Sequence, residues 1–173
     1  MGGADVVNYF APSTAPGSTV TSLGSADNSV TYQNATFWFL NAANAATFKS
    51  NPQKYLPAWG GFCAYGIARE GTNGNPSPKA EPGWPWTATH MGPPCDPHDG
   101  WALINGTLYC AIHRSTMSDF ISFADSGIPD GNTRWKNWYG DLAAGPFNTG
   151  CWPGPDLGIC VKTGRPFPNR TTV

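Results

Sequence analysis

Residues 32–68, YQNATFWFLNAANAATFKSNPQKYLPAWGGFCAYGIA, constrain the fold more than any other stretch, because strand, helix and turn signals follow one another without a linker. Tyr32 and the run Phe37-Trp38-Phe39-Leu40 are strand formers around a polar break at Asn34-Ala35, which predicts an antiparallel hairpin. Asn41 then offers a side-chain oxygen to cap a helix through Ala42, Ala43, Ala45, Ala46 and Phe48. Pro52 and Tyr55 restart it, and the block closes on Trp59-Gly60-Gly61-Phe62-Cys63, a turn that leads into another helix. A second hairpin is written at Asn105-Gly106, between Trp101-Ala102-Leu103-Ile104 and Leu108-Tyr109-Cys110-Ala111-Ile112. Helices are expected from about Ser118 to Ala124 and from about Asn132 to Leu142, the second with Trp135, Trp138 and Tyr139 on one face.

The rest of the chain is poor in such signals. Gly and Pro number 21 and 17 of 173 residues, and charged residues are 12%, against about 25% in an ordinary soluble domain. Residues 11–28 read as an extended surface loop. Between positions 71 and 99, Pro76, Pro78, Pro82, Pro85, Pro93, Pro94 and Pro97 exclude helix and central strand. The expectation is one α+β domain over 1–173, with small antiparallel hairpins packed with short helices and long Pro/Gly-rich loops. Its core is placed at 29–70 and 100–142, with a loop insertion at 71–99 and an irregular tail at 143–173.

The block 32–68 resembles the YHS domain in its longer, exported form. The shared order is Phe48, Pro52, Tyr55, Pro57, Trp59, Gly60, Gly61, Phe62, Cys63 and Ala64. Asp5-Val6-Val7-Asn8-Tyr9-Phe10 is similar to that family's G-Y-D-x-V-A-Y-F opening, and residues 100–109 resemble its W-x-I-x-x-G-x-L-Y hairpin. Ala124-Asp125 and Trp135 are fainter echoes of its last helix. The resemblance implies redox or metal chemistry at Cys63, because some exported relatives are described as selenoproteins and short YHS modules accompany copper and other heavy-metal proteins. The short module's opening Cys is missing, with Leu40-Asn41 in its place, so metal ligands do not carry over.

Cys63 belongs to that motif, whereas Cys95, Cys110, Cys151 and Cys160 lie in segments peculiar to this chain. Those four are expected to pair among themselves and stabilise the domain, with Cys95 clamping the proline-rich loop to the Cys110 strand; the other two connectivities stay open. For Cys63 two readings stand side by side. A thiol opening a helix after Gly60-Gly61 can have its pKa lowered by exposed amides, or it can be a small buried hydrophobe between Phe62 and Tyr65. His90, Met91, Cys95, Asp96 and His98 also place soft and imidazole donors within nine residues, a weak copper-type site.

Composition excludes some function classes. A net charge of −1 with scattered Lys and Arg leaves no basic stripe for nucleic acid. No apolar run approaches the ~18 residues of a membrane span. Three sequons, at Asn34, Asn105 and Asn169, fall in predicted turns or the tail and, with five cysteines, predict a secreted chain carrying N-linked glycans, its leader absent from the numbered sequence. No hydrolase, nucleotide-loop or zinc-protease motif is present, so an enzyme is unsupported, and Asp125, Asp130 and Asp141 read as caps and solvated surface. Trp84, Trp86 and Trp152 sit in Pro/Gly-rich loops, where rigid aromatics suit contacts with proteins or sugar rings. The function expected is an extracellular structural or interaction subunit that self-assembles or binds another extracellular protein or glycan. The alternative is a thiol-redox or soft-metal module centred on Cys63.

Overall fold

The computed structural model describes residues 2–11, 23–70, 86–89, 91 and 95–148. A 3-10 turn, Val6–Phe10, precedes a hairpin of β1 (Ser25–Tyr32) and β2 (Ala35–Phe39). Three short helices follow, α1 (Ala42–Ser50), α2 (Pro52–Tyr55) and α3 (Ala64–Arg69). A second hairpin, β3 (Trp101–Ile104) and β4 (Thr107–Cys110), leads to α4 (Arg114–Ser122) and α5 (Ala124–Tyr139). The α+β class of two antiparallel hairpins packed with short helices is therefore as expected.

Both hairpins turn through two residues in the left-handed region, Gln33 and Asn34 (φ 46° and 61°) and Asn105 and Gly106 (φ 51° and 76°). Such turns match the right-handed twist of the strands they join. Register follows from the turns: Tyr32 opposes Ala35 in the first hairpin, and Ile104 opposes Thr107 in the second. The Asn41 cap forms as predicted, its Oδ1 accepting from the Asn44 amide at 2.9 Å. β1 begins at Ser25, inside the stretch expected to be loop, and its register against β2 is irregular between Ser25 and Ser29.

The β3–β4 hairpin is buried on both faces, which is why its sequence is apolar at nearly every position. Trp101, Leu103, Leu108 and Cys110 face one core with Tyr9, Phe39, Phe48 and Tyr55. Ala102, Ile104 and Tyr109 face the other, with Trp59, Ile67, Phe120 and Trp135. The hairpin is thus a wall between two halves of the interior.

Three expectations are corrected. α5 starts eight residues earlier than placed and runs through Pro129, the sixth residue of the helix, where the missing N–H removes a single backbone bond. The expected Cys95–Cys110 bridge is not formed: both are free thiols, fully buried, and Cys95 Sγ instead donates to the carbonyls of Asp96 (3.4 Å) and Gly100 (3.6 Å). The loop is already held to β4 by the Asp96 amide donating to Ala111 O and the Ala111 amide to Gly100 O, at 3.0 and 2.6 Å, so a covalent clamp is not what places it. Cys151 and Cys160 lie outside the described residues. Lastly, Trp86 is not an outward anchor: it is 1% exposed, its Nε1 donates to Glu70 Oε2 at 2.9 Å, and its ring occupies the space a side chain on Gly66 would need.

Candidate functional site

The motif Pro57–Ala64 folds into the most unusual backbone of the chain. Trp59, Gly60 and Gly61 occupy the left-handed region in succession (φ 50°, 61° and 78°). For Trp59 this conformation costs about 1–2 kcal/mol, and what holds it is the burial of its indole. The ring lies edge-on to Tyr109 and Phe120, and Nε1 donates to Asn132 Oδ1 at 3.1 Å. At Gly60 no other residue fits, since a Cβ would stand 2.0 Å from the Pro146 carbonyl oxygen. The Gly60 carbonyl accepts the Asn148 amide at 2.7 Å, which lays residues 144–148 across the turn.

Two cavities open on either side of this crossing and share Pro57, Gly60 and Phe147 as common wall. One, of about 360 Å³, runs along β2 from Asn34 to Trp38 and is closed opposite by Gly2, Gly3 and Ala4. The other, of about 330 Å³, lies between α2, Tyr109, Asn132 and residues 141–147. Among the described residues, the first has no charged side chain in its lining and the second has Asp141 alone. Aromatic, small and amide groups dominate both, a chemistry that binds uncharged apolar or hydrogen-bonding surfaces.

Cys63 stands just past the turn and is in the lining of neither cavity. It is 4% exposed, beside Cys110 through an isolated parallel bridge. Burial pushes its thiol pKa up, and the amides of Gly66, Ile112 and Tyr65, which pull the other way, do not outweigh it. The amides that sequence reasoning invoked are present, but desolvation wins. Cys95 is raised further by complete burial and by its contact with Cys110, the residue of β4 that Cys63 pairs with through its backbone.

The remaining predicted sites scatter. Asn34 and Asn105 are exposed at their hairpin turns, as a glycan acceptor requires, and Asn169 lies outside the described residues. So do Trp84, Trp152 and His90. Met91 packs under Tyr139, whose hydroxyl lies 3.9 Å from its sulfur, whereas Cys95 is in the other core and His98 is buried beside Asp96. Among the described residues, no three His, Cys, Asp or Glu side chains converge on a metal-sized space. No helix there is long and apolar enough to cross a membrane. Arg134 and residues 144–148 carry no local motif that announces their role, and Asp5 stands out in the sequence only as the first residue of the Asp5–Phe10 opening. Comparison with protein-family models, curated proteins and solved structures finds no match to the chain.

Proposed function

We propose that the chain is a secreted, N-glycosylated interaction subunit with the core of an exported YHS-like protein, acting by binding and not by turnover. Its partners are other copies of itself or another extracellular protein or glycan. The observation that carries this reading is the pair of cavities flanking the Trp59–Gly61 turn, walled by aromatic, small and amide groups and held open by backbone that would relax in an isolated peptide. A strained conformation maintained by surrounding structure is a common mark of a working surface. Exposure of Asn34 and Asn105 at turns supports the secreted setting. Sedimentation velocity of the secreted, glycosylated protein across micromolar concentrations tests it: association weakened by Trp38→Ala and Phe147→Ala is expected. A single monomeric species at every concentration would remove the self-association half of the reading.

The alternative is a thiol or soft-metal role centred on Cys63, supported by its backbone pairing with Cys110, which in turn contacts Cys95. Cys63→Ser separates the two, since unchanged copper binding and peroxide reactivity in that variant would exclude the thiol role.

A further inference from the structure

The first cavity is lined by the turn residue Asn34 and by four consecutive residues of β2, Ala35 to Trp38. Side chains alternate between faces of a strand, so an unbroken run of lining residues means that the backbone edge itself borders the cavity. Ladder parity agrees. Tyr32 and Ala35 flank a two-residue turn and form a hydrogen-bonded pair, so Thr36 and Trp38 occupy non-bonded positions opposite Thr31 and Ser29. Their peptide groups therefore point away from β1. Just past the strand, the Leu40 amide is taken by Asp5 Oδ2 at 2.8 Å. Gly24 closes the edge near the Trp38 carbonyl, where a Cβ would lie 2.2–2.3 Å from the carbonyl atoms. Among the described residues, what remains open is the N–H and C=O of Thr36 and the N–H of Trp38.

We propose that this edge is a strand-addition site for a short, extended, uncharged peptide segment of a partner protein. This deepens the proposed binding role and rests on it. Main-chain hydrogen bonds to Thr36 and Trp38 would supply register, as in other edge-strand recognition. Three features select the occupant. No charged side chain borders the cavity among the described residues, so a charged segment would bury its charge unpaired. The facing wall is Gly2, Gly3 and Ala4, residues with no side chain beyond a methyl to obstruct an incoming backbone. The inner end is walled by Phe37 and Phe147, stacked edge-to-face at 5.2 Å, which suits one aliphatic side chain of the incoming strand.

The probe is the blocked peptide acetyl-Asn-Ser-Val-Thr-Tyr-amide, which copies residues 28–32, the sequence β2 already pairs with on its other edge. Titrated into the full ¹⁵N-labelled chain, it should shift the amides of Thr36, Trp38, Gly3 and Ala4. N-methylation of alternate peptide residues should weaken binding roughly tenfold for one set and leave the other unchanged, because only one set points its N–H at the edge. Thr36→Pro removes an N–H that β1 does not use, so the hairpin should survive while the peptide is lost. If that variant does not fold, the methylated peptides decide alone. Absent shifts, or equal sensitivity to methylation at every position, overturn the site. Thr36 and Trp38 amides already protected from exchange in the peptide-free monomer would mean that residues 149–173 of the same chain fill the edge. Protection that grows with protein concentration would assign it to a second copy. Association in sedimentation with Thr36 and Trp38 unperturbed would keep the binding role and discard this edge.

Discussion

Asp5 is a carboxylate that water does not reach, and donors from three parts of the chain share it. Its oxygens accept from the Val7 amide at 2.9 Å, the Leu40 amide at 2.8 Å and Asn44 Nδ2 at 2.7 Å, so one side chain joins the 3-10 turn to the end of β2 and the start of α1. Removing it strands all three donors, and Asp5→Ala should cost about 2–4 kcal/mol, read as a lowered urea midpoint at unchanged slope. A nearly unchanged midpoint would mean that water reaches the vacated space. Asp96 is a different case. Burial lifts its pKa from 3.8 to about 6, with the His98 amide at 2.9 Å pulling it down and neighbouring Asp99 pushing it up. A carboxyl whose folded pKa lies above its unfolded value is bound to a proton more often in the native state. Its contribution is therefore most favourable below pH 4 and is lost as pH rises towards 6. Stability measured across that window should fall with pH by less in Asp96→Asn than in the parent chain.

At the scale of elements, α5 is the least predictable helix because its sequence argues against it. Gly127, Pro129 and Gly131 read as breakers, and only the packing partners explain them. A Cβ on Gly131 would stand 2.5 Å from the Trp59 ring, and one on Gly127 would stand 2.7 Å from Phe123, so these positions form the groove into which neighbouring aromatics settle. Arg134, on the same helix, is fully buried and donates to the carbonyls of Gly66, Ile67 and Glu70 at 3.0, 3.0 and 2.7 Å, closing the C-terminus of α3. Burial lowers its pKa to about 10, still far above neutrality, so it remains a cation. Arg134→Met keeps much of the volume but removes the guanidinium donor from three carbonyls, of which Gly66 O retains the Glu70 amide at 3.0 Å, and should cost about 2–3 kcal/mol in urea unfolding. Gly131→Ala gains about 1 kcal/mol of helix propensity, yet the contact with Trp59 should make the net effect destabilising. A stabilised Gly131→Ala would show that the indole can move aside. The hairpin turns, the Asn41 cap and the Pro52 restart were legible because their causes lie within four residues of one another. Asp5 and Arg134 were not, since apart from the Val7 amide beside Asp5 their partners stand 35 to 39 and 64 to 68 positions away. For Trp86 a proline-rich neighbourhood predicted exposure, whereas the indole fits a slot that only the distant Gly66 leaves open.

For the whole molecule the decisive fact is that the two cores have one wall in common. Trp101, Leu108 and Cys110 belong to one interior and Ala102 and Tyr109 to the other, on strands only four residues long, so neither half can lose its packing while the β3–β4 hairpin stays formed. The thiols report on each side: Cys95 and Cys110 from the first core, Cys63 from the second, all free and buried. Native protein should therefore resist alkylation at all three positions, since a buried thiol is out of the reagent's reach. Pulsed alkylation through the denaturant transition should then label Cys63 and Cys95 with the same midpoint, because a shared wall makes unfolding one cooperative step. Leu108→Ala, which opens a cavity in the first core, should lower both midpoints together, by an amount equivalent to about 2–5 kcal/mol. Labelling of Cys63 at a distinctly lower denaturant concentration than Cys95 would mean that α3, α4 and α5 unfold as a separate unit. The hairpin would then be a lid on the first core, and not the element that binds the two together.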